Sequence, residues 1–383
     1  MTTMICMVSG QPMPNLRPAL CQNEDFKVRQ VVLLVTEKMT KQAASLTAVL
    51  ERNQRACVYH EVPDAYDLPA LIAQFRKILD DINGNGIANL TGGTKMMSLA
   101  LRDAVRGRDN WRTLYVREDT HQGQWLDGTT DQPFPIEAQM SLKDLLDAHG
   151  FDHKAPGSFH PTRAQRDFAD WLLRTYYRNR NVIDLLNKVS YDASDKKKNI
   201  RKYFSEIDNG KFDKANVLPC MQPILERAQQ VGLLELHEDH IFYPSKNHRK
   251  FICGVWLECA VENAVKRLEK QHPGLIDDIR AGIQFNQHRG EADVLVSRPT
   301  GLAVIECKTG SYGKEDGQIK AGDVIKQTME QKKYGGLTTT NILVSLNPLG
   351  NDHAYKKAGR NHIRIIEGDM LGDLEHHLYK CLQ

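Results

Sequence analysis

Two acids and a lysine in the last third of the chain have the spacing of a hydrolytic site. Residues 291–308 read EADVLVSRPTGLAVIECK. Two β-branched runs flank Arg298-Pro299-Thr300-Gly301, which is the grammar of a β-hairpin. With the turn centred between Pro299 and Thr300, Asp293 opposes Glu306 and Glu291 opposes Lys308. Glu306 and Lys308 are two residues apart, so they share a face of the strand. That register gathers Asp293, Glu306 and Lys308 in one patch that extends to Glu291, and a one-residue slip would undo it. Paired carboxylates suit a hard divalent cation such as Mg²⁺ or Mn²⁺, which prefers oxygen ligands. Such an ion lowers the pKa of a water and neutralises charge developing at phosphorus. Lys308 beside it would orient the nucleophile and stabilise the transition state. Cross-strand salt bridging is the plainer reading. Against it, Glu306 follows the apolar run Leu302-Ala303-Val304-Ile305, and an acid at the end of an interior strand needs a compensating partner.

A second signal lies near the N-terminus, in Ser9-Gly10-Gln11 and in Thr91-Gly92-Gly93-Thr94-Lys95. Each follows an apolar run and precedes a helical pattern. Glycines there allow close backbone approach, a helix start offers unpaired N–H groups, and Thr94 and Lys95 add a hydroxyl and a cation. Together they form a candidate anion cradle; a tight turn with an N-cap threonine fits the same residues. The GxxxxGK[ST] spacing of a P-loop is absent.

These residues require elements to position them. Apolar runs at 2–8, 30–36, 56–62, 86–90 and 111–117 read as strands. Helical patterns fall between them at 40–54, 67–82 and 95–105, after a shorter stretch ending near Asn23. Continuous apolar strands alternating with helices predict a parallel sheet covered on both faces, with ligands at the carboxyl ends of its strands. Residues 118–140 read as a hairpin, and HKAPGSFHPT at 153–162 as a boundary. The pattern is then mostly helical to about Val231, and residues 232–243 read as a small hairpin, together consistent with a winged helix. The basic cluster Lys196, Lys197, Lys198, Arg201 and Lys202 is either a phosphate contact or a solvated helix face. Residues 251–270 form a helix carrying Glu258.

Composition narrows the class. With 41% hydrophobic and 26% charged residues in a 383-residue chain, wholesale disorder and fibrous architecture are excluded. No run approaches the ~20 apolar residues of a membrane span. The N-terminus has no basic n-region or long apolar core, so a cytoplasmic protein is expected. A formal charge of +3 does not demand a polyanionic partner. The eight cysteines form no CxxC pair, which predicts reduced thiols.

Asp293, then Glu306-Cys307-Lys308 after an apolar strand, with Glu258 on a preceding helix, resembles the PD-(D/E)XK nuclease superfamily. The resemblance implies metal binding by Asp293 and Glu306 with Glu258, and a catalytic Lys308. Gln327 and Tyr334 in KQTMEQKKYGG match the Q…Y helix of some branches, which adds Gln327 to the implied catalytic set. Ala292 stands where the superfamily's name has proline. Separately, Asn89-Leu90-Thr91-Gly92-Gly93-Thr94-Lys95-Met96 and Ser9-Gly10-Gln11 resemble a CARF domain, a Rossmann-like sensor of cyclic oligoadenylates. The combination is similar to the cyclic-oligoadenylate-activated defence nucleases of type III CRISPR immunity. It implies an α/β protein in three parts: a CARF sensor at 1–152, a winged-helix-like linker domain at 153–246 and a restriction-endonuclease-like domain at 247–383. It further implies a homodimer, one cyclic tetra-adenylate across the dimer axis, Mn²⁺ or Mg²⁺, and nonspecific cutting of DNA, RNA or both. Two rivals remain: a cyclic-nucleotide-responsive DNA-binding regulator with an inactive nuclease fold, and an ungated endonuclease.

Overall fold

The structure is a computed structural model that describes residues 2–383 except 24–25, 63, 118–119, 121, 129–131, 155–159, 193–213, 237–240, 286–289 and 313–319. The first third alternates strand and helix as the apolar spacing predicts: β1 (Thr2–Met7), α1 (Met13–Leu20), β2 (Val28–Val35), α2 (Thr40–Arg52), β3 (Ala56–Glu61), α3 (Leu68–Asp80), β4 (Asn85–Asn89), α4 (Lys95–Val105) and β5 (Trp111–Val116). The sheet order is β3-β2-β1-β4-β5, all parallel. The predicted hairpin forms as β6 (Gln122–Trp125) and β7 (Phe134–Pro135) and extends this sheet antiparallel beyond β5. Met4 and Cys6 of β1 pack into one core, Ile5 and Met7 into another, so both faces are covered. The chain turns from one side of the sheet to the other between β1 and β4, whose carboxyl ends lie side by side. That switch point is where such sheets open a crevice.

After α5 (Leu142–Ala148), the short strand β8 (His153–Lys154) pairs not with the first sheet but with the edge of the second. The stretch read as a boundary therefore contributes a strand to the C-terminal sheet. The middle region is helical in α6 (Arg163–Tyr176), α7 (Arg180–Asp192) and α8 (Lys214–Gln230), followed by the hairpin β9 (Glu235–Leu236) and β10 (Ile241–Phe242). Thr162 caps α6 in a reciprocal capping box with Gln165. The basic cluster at 196–202 lies outside the described residues.

The last third opens with a short helix α9 (Lys246–Lys250) and a π-turn, Phe251–Val255, that leads into α10 (Trp256–Gln271). Its sheet has the order β15-β14-β13-β12-β11-β8, from β11 (Asp278–Phe285), β12 (Gly290–Arg298), β13 (Gly301–Lys308), β14 (Thr340–Ser345) and β15 (Arg364–Glu367). Helices α11 (Ala321–Glu330), α12 (Asp352–Arg360) and α13 (Leu374–Leu382) complete it. β12–β13 is antiparallel and β13–β14 parallel, so β13 lies inside a mixed sheet. Val294, Val296, Ala303 and Ile305 pack with α10 and the middle helices. Leu295, Leu302 and Val304, on the opposite face, pack with Leu16, Leu142 and Leu145 of the first third. The sheet that carries the acids is thus buried against the N-terminal region.

A buried arginine fixes this contact. Arg17 of α1 lies 3.6 Å from Asp277, with the two side chains 1% and 5% exposed. Its guanidinium also donates to the carbonyls of Ala138 and Arg298, and Arg298 donates to Leu382 O at 2.7 Å and Thr340 Oγ1 at 2.8 Å. Burial raises the Asp277 carboxyl to about 6 despite the nearby guanidinium.

Candidate nuclease centre and ligand cradle

The β12–β13 ladder has the register the turn predicts, pairing Arg298 with Gly301 through to Val294 with Ile305. It stops there. The expected backbone pairs Asp293–Glu306 and Glu291–Lys308 do not form, and Glu291 instead opposes Gln284 on β11. The reason is local: the Cys307 amide donates to Asp293 Oδ2 at 2.7 Å, so a side chain takes the donor the next residues of the strand would need. The strands part, and the acids sit at the opening.

Glu306 is fully buried, on the face of β13 opposite Ile305 and Cys307. Three donors compensate it: Lys308 Nζ and Gln327 Nε2 (2.9 Å) on Oε1, and Gln331 Nε2 (2.6 Å) on Oε2. Burial alone would lower the Lys308 pKa, but Glu306 and Asp293 outweigh it and hold the ammonium charged. Asp293 is pushed up to about 7 by burial and by the charge on Glu306, against the opposing pull of Lys308 and the Cys307 amide. Glu258 enters from the first turn of α10 and is raised well above its usual range by burial, then by Asp293 and Glu291. Asp293, Glu306, Lys308, Glu258 and Gln327 therefore converge, with Glu291 exposed at the rim. The Tyr334 ring stacks on Phe285 at 4.0 Å and 11° in the buried core. Gln331 is the residue the sequence reading missed. It lies four residues after Gln327, the spacing that puts two side chains on one helical face, and that spacing was the available signal.

At the first sheet, the SGQ and TGGTK loops follow β1 and β4 and meet at the switch point. A Cβ on Gly92 would lie 2.3 Å from the Met7 carbonyl oxygen, so only glycine lets the second loop lie against β1. Gly93 has φ +74°, a left-handed turn into α4. Thr94 caps α4 by accepting from Met97 N at 3.2 Å, and its hydroxyl donates to Ala65 O at 2.8 Å. Thr94 is thus committed to the fold. The N–H groups of Lys95 and Met96 have no intrahelical acceptor and open onto solvent with the exposed Lys95 side chain. Asn89 holds Thr91 and the Asn15–Pro14 start of α1 together, and Ser9 Oγ accepts from the Gln11 amide. The cradle and capped-turn readings are therefore compatible. Replacing Gly92 with alanine is expected to displace the loop from Met7 and weaken binding of a phosphodiester ring at least about tenfold, the scale of one lost charge-assisted contact. Calorimetric titration of cyclic tetra-adenylate checks this, and unchanged affinity would remove the loop from the site.

Family comparison supplies the domain assignments. The Card1 CARF domain family matches residues 3–145 and the Card1-like endonuclease domain family matches residues 245–382. The chain joins a Card1 CARF domain to a Card1-like endonuclease domain. Both cradle loops fall in the CARF domain; Glu258, Asp293, Glu306, Lys308, Gln327 and Gln331 all fall in the endonuclease domain. Three solved structures share the fold. Protein VC1899 from Vibrio cholerae is 18% identical, with a TM-score of 0.82 over 100% of this chain and 98% of that one. Can2 from Sulfobacillus thermosulfidooxidans, solved with cyclic tetra-adenylate, is 20% identical, with a TM-score of 0.76 and full coverage of both chains. A type III CRISPR defence DNA nuclease activated by cyclic oligoadenylate is 17% identical, with a TM-score of 0.56 over 90% of this chain and 45% of that one. No curated protein sequence matches the chain. Among the described residues no helix is long and apolar enough to cross a membrane.

Proposed function

We propose that this chain is a cytoplasmic, metal-dependent nonspecific nuclease, switched on by cyclic tetra-adenylate as an antiviral defence effector. The observation that carries the reading is the joining of CARF and endonuclease domains in one chain, with Asp293, Glu306 and Lys308 all present where the β12–β13 strands part. The solved Can2 and CRISPR nuclease structures, which share the fold, support the same activator class. The division into 1–152, 153–246 and 247–383 gives the middle part a linker role.

Among the described residues no three side chains form a ready-made metal cage. The donor set still fits an oxygen-preferring dication. The carboxyls of Glu258, Asp293 and Glu306 lie by the Lys308 ammonium with Glu291 at the rim, and burial, then the neighbouring carboxylates, holds Glu258 and Asp293 toward their protonated forms. Asp293, Glu306 and Glu258 would hold the ion. Bound Mg²⁺ or Mn²⁺ would supply positive charge for the scissile phosphate and lower the pKa of a water. Lys308 keeps its proton, so it acts as a fixed cation for the phosphate rather than as a base. Gln327 restrains Glu306 Oε1 by its amide.

The Asp293 shift has a sign. Its folded pKa of about 7 exceeds the ordinary value of 3.8, so the metal-free protein loses stability as pH rises through that window. Metal must displace the proton below pH 7. Glu258, raised in the same direction, must release its proton as well, so Mn²⁺ affinity is expected to fall at least about tenfold for each pH unit below 7. Calorimetry from pH 5.5 to 8.5 checks this, and a flat profile would place the ion elsewhere.

A homodimer completes the reading. Tyr66, Met96 and Leu99 are 71%, 40% and 55% exposed, and Met96 and Leu99 follow the cradle on α4. Such an apolar rim suits a second CARF domain. Titration of the full chain with cyclic tetra-adenylate should saturate at one ring per two chains. No binding at any concentration would favour the ungated endonuclease.

A further inference from the structure

We propose that Gln331 is a positioning residue that ties the Glu306 carboxylate to the ligand loop of the same chain, through Gly336 and Gln11. The inference rests on the nuclease reading above and adds the route by which one chain's sensor reaches its own catalytic centre.

Gln331 is 3% exposed and donates to Glu306 Oε2 at 2.6 Å, while its own Oε1 has no hydrogen-bond partner among the described residues. It begins a 3₁₀ turn, Gln331–Tyr334, that leads through Gly335 into a second, Gly336–Thr338. Both glycines are close-approach points. A Cβ on Gly335 would lie 2.5 Å from Leu302 Cβ on β13, and one on Gly336 would lie 2.3 Å from Gln11 Oε1. Gly336 has φ +70°, which a side chain rarely adopts. The Tyr334 ring between them is stacked on Phe285. The segment is therefore a short, packed strut, with a Glu306 donor at one end and the side chain of Gln11 laid on the other.

Gln11 belongs to the SGQ loop at the sheet's switch point, where its backbone amide donates to Ser9 Oγ at 3.3 Å. A ring bound in that loop draws on the Gln11 side chain, which otherwise lies against Gly336. The two arrangements of the strut then differ in ligand affinity, which is the condition for a ligand to shift an equilibrium. Displacing Gly336 draws on the Gln331 contact, and Glu306 loses or re-aims one of its three donors. The exchange frees Oε2 for a cation. Coupling of this kind is reciprocal: a cation at Glu306 must change the affinity for the ring by the same factor as the ring changes affinity for the cation.

That reciprocity is the test. Cyclic tetra-adenylate is titrated calorimetrically into the full-length protein with and without saturating Mn²⁺, and Mn²⁺ binding is titrated separately. Wild type is expected to bind the ring at least about fivefold more tightly with Mn²⁺, the lower end of usual allosteric coupling. Gln331→Met keeps the side-chain length and removes the donor; Gly336→Ala disturbs the Gln11 contact. Each should bring the Mn²⁺ effect below about twofold, against the fivefold of usual coupling. If Gly336→Ala fails to fold by thermal melting, Gln331→Met decides. Linkage kept in Gln331→Met, or absent in a wild type that binds both ligands, overturns the inference alone. A wild type that binds no Mn²⁺ overturns the nuclease reading and this inference with it.

Discussion

Glu306→Gln abolishes metal-dependent cleavage, with an expected loss of about 10³-fold or more, the scale of removing a charge that stabilises the transition state. The substitution keeps the side chain's size and removes its charge. Glu306 is fully buried and accepts from Lys308, Gln327 and Gln331, all of them donors. A glutamine offers them one oxygen and sets an NH₂ group against at least one donor. Lys308 loses its nearest counter-charge, so a stability cost of roughly 3 kcal/mol accompanies the loss of activity. Plasmid and RNA cleavage with Mn²⁺, together with a melting curve, separates the two effects. A folded Glu306→Gln protein that still cuts would return the acids to a structural salt-bridge role. A wild type that binds the ring and DNA but never cuts would instead favour the binding regulator.

Lys308→Met is expected to lower turnover about 10²–10³-fold while leaving metal affinity intact or tighter. The two signs are opposed because, among the described residues, Lys308 is the cation that Glu306 and Asp293 face. Its removal takes a competing charge from Glu306 and Asp293, which favours a dication; without it, nothing in the chain's own cluster offsets the phosphate. Asp293, already at about 7 with Lys308 pulling it down, rises further in the variant. The metal-free variant should lose roughly 3 kcal/mol of stability from the unpaired buried Glu306, and Mn²⁺ should restore part of it. Single-turnover kinetics and Mn²⁺ calorimetry are the checks. A parallel loss of metal binding and turnover would make Lys308 a structural partner of Glu306 alone.

Much of this was legible in the sequence because the signals are local. The two β-branched runs and the Pro299-Thr300 turn set a register that the β12–β13 ladder follows from Arg298–Gly301 to Val294–Ile305. Asp67 and Thr94 cap their helices where short polar residues precede apolar periodicity. What the sequence did not show depends on distant contacts. The strands part at Asp293 because its carboxylate captures the Cys307 amide, and an apolar run carries no trace of that. Tyr334 has the motif spacing yet stacks on Phe285 of β11, a strand the reading did not identify. Gln331 resembles any helix-surface glutamine until β13 brings Glu306 beneath it. Likewise the pairing of Arg17 with Asp277 joins residues 260 positions apart, beyond the reach of any local rule.

The central claim is that a cyclic oligoadenylate governs a metal-dependent nuclease through this chain. Its most direct test is cleavage of supercoiled plasmid, single-stranded DNA and RNA with Mn²⁺, each with and without cyclic tetra-adenylate. The account predicts cutting only when ring and metal are both present, and none by Glu306→Gln. Equal cutting with and without the ring would contradict it.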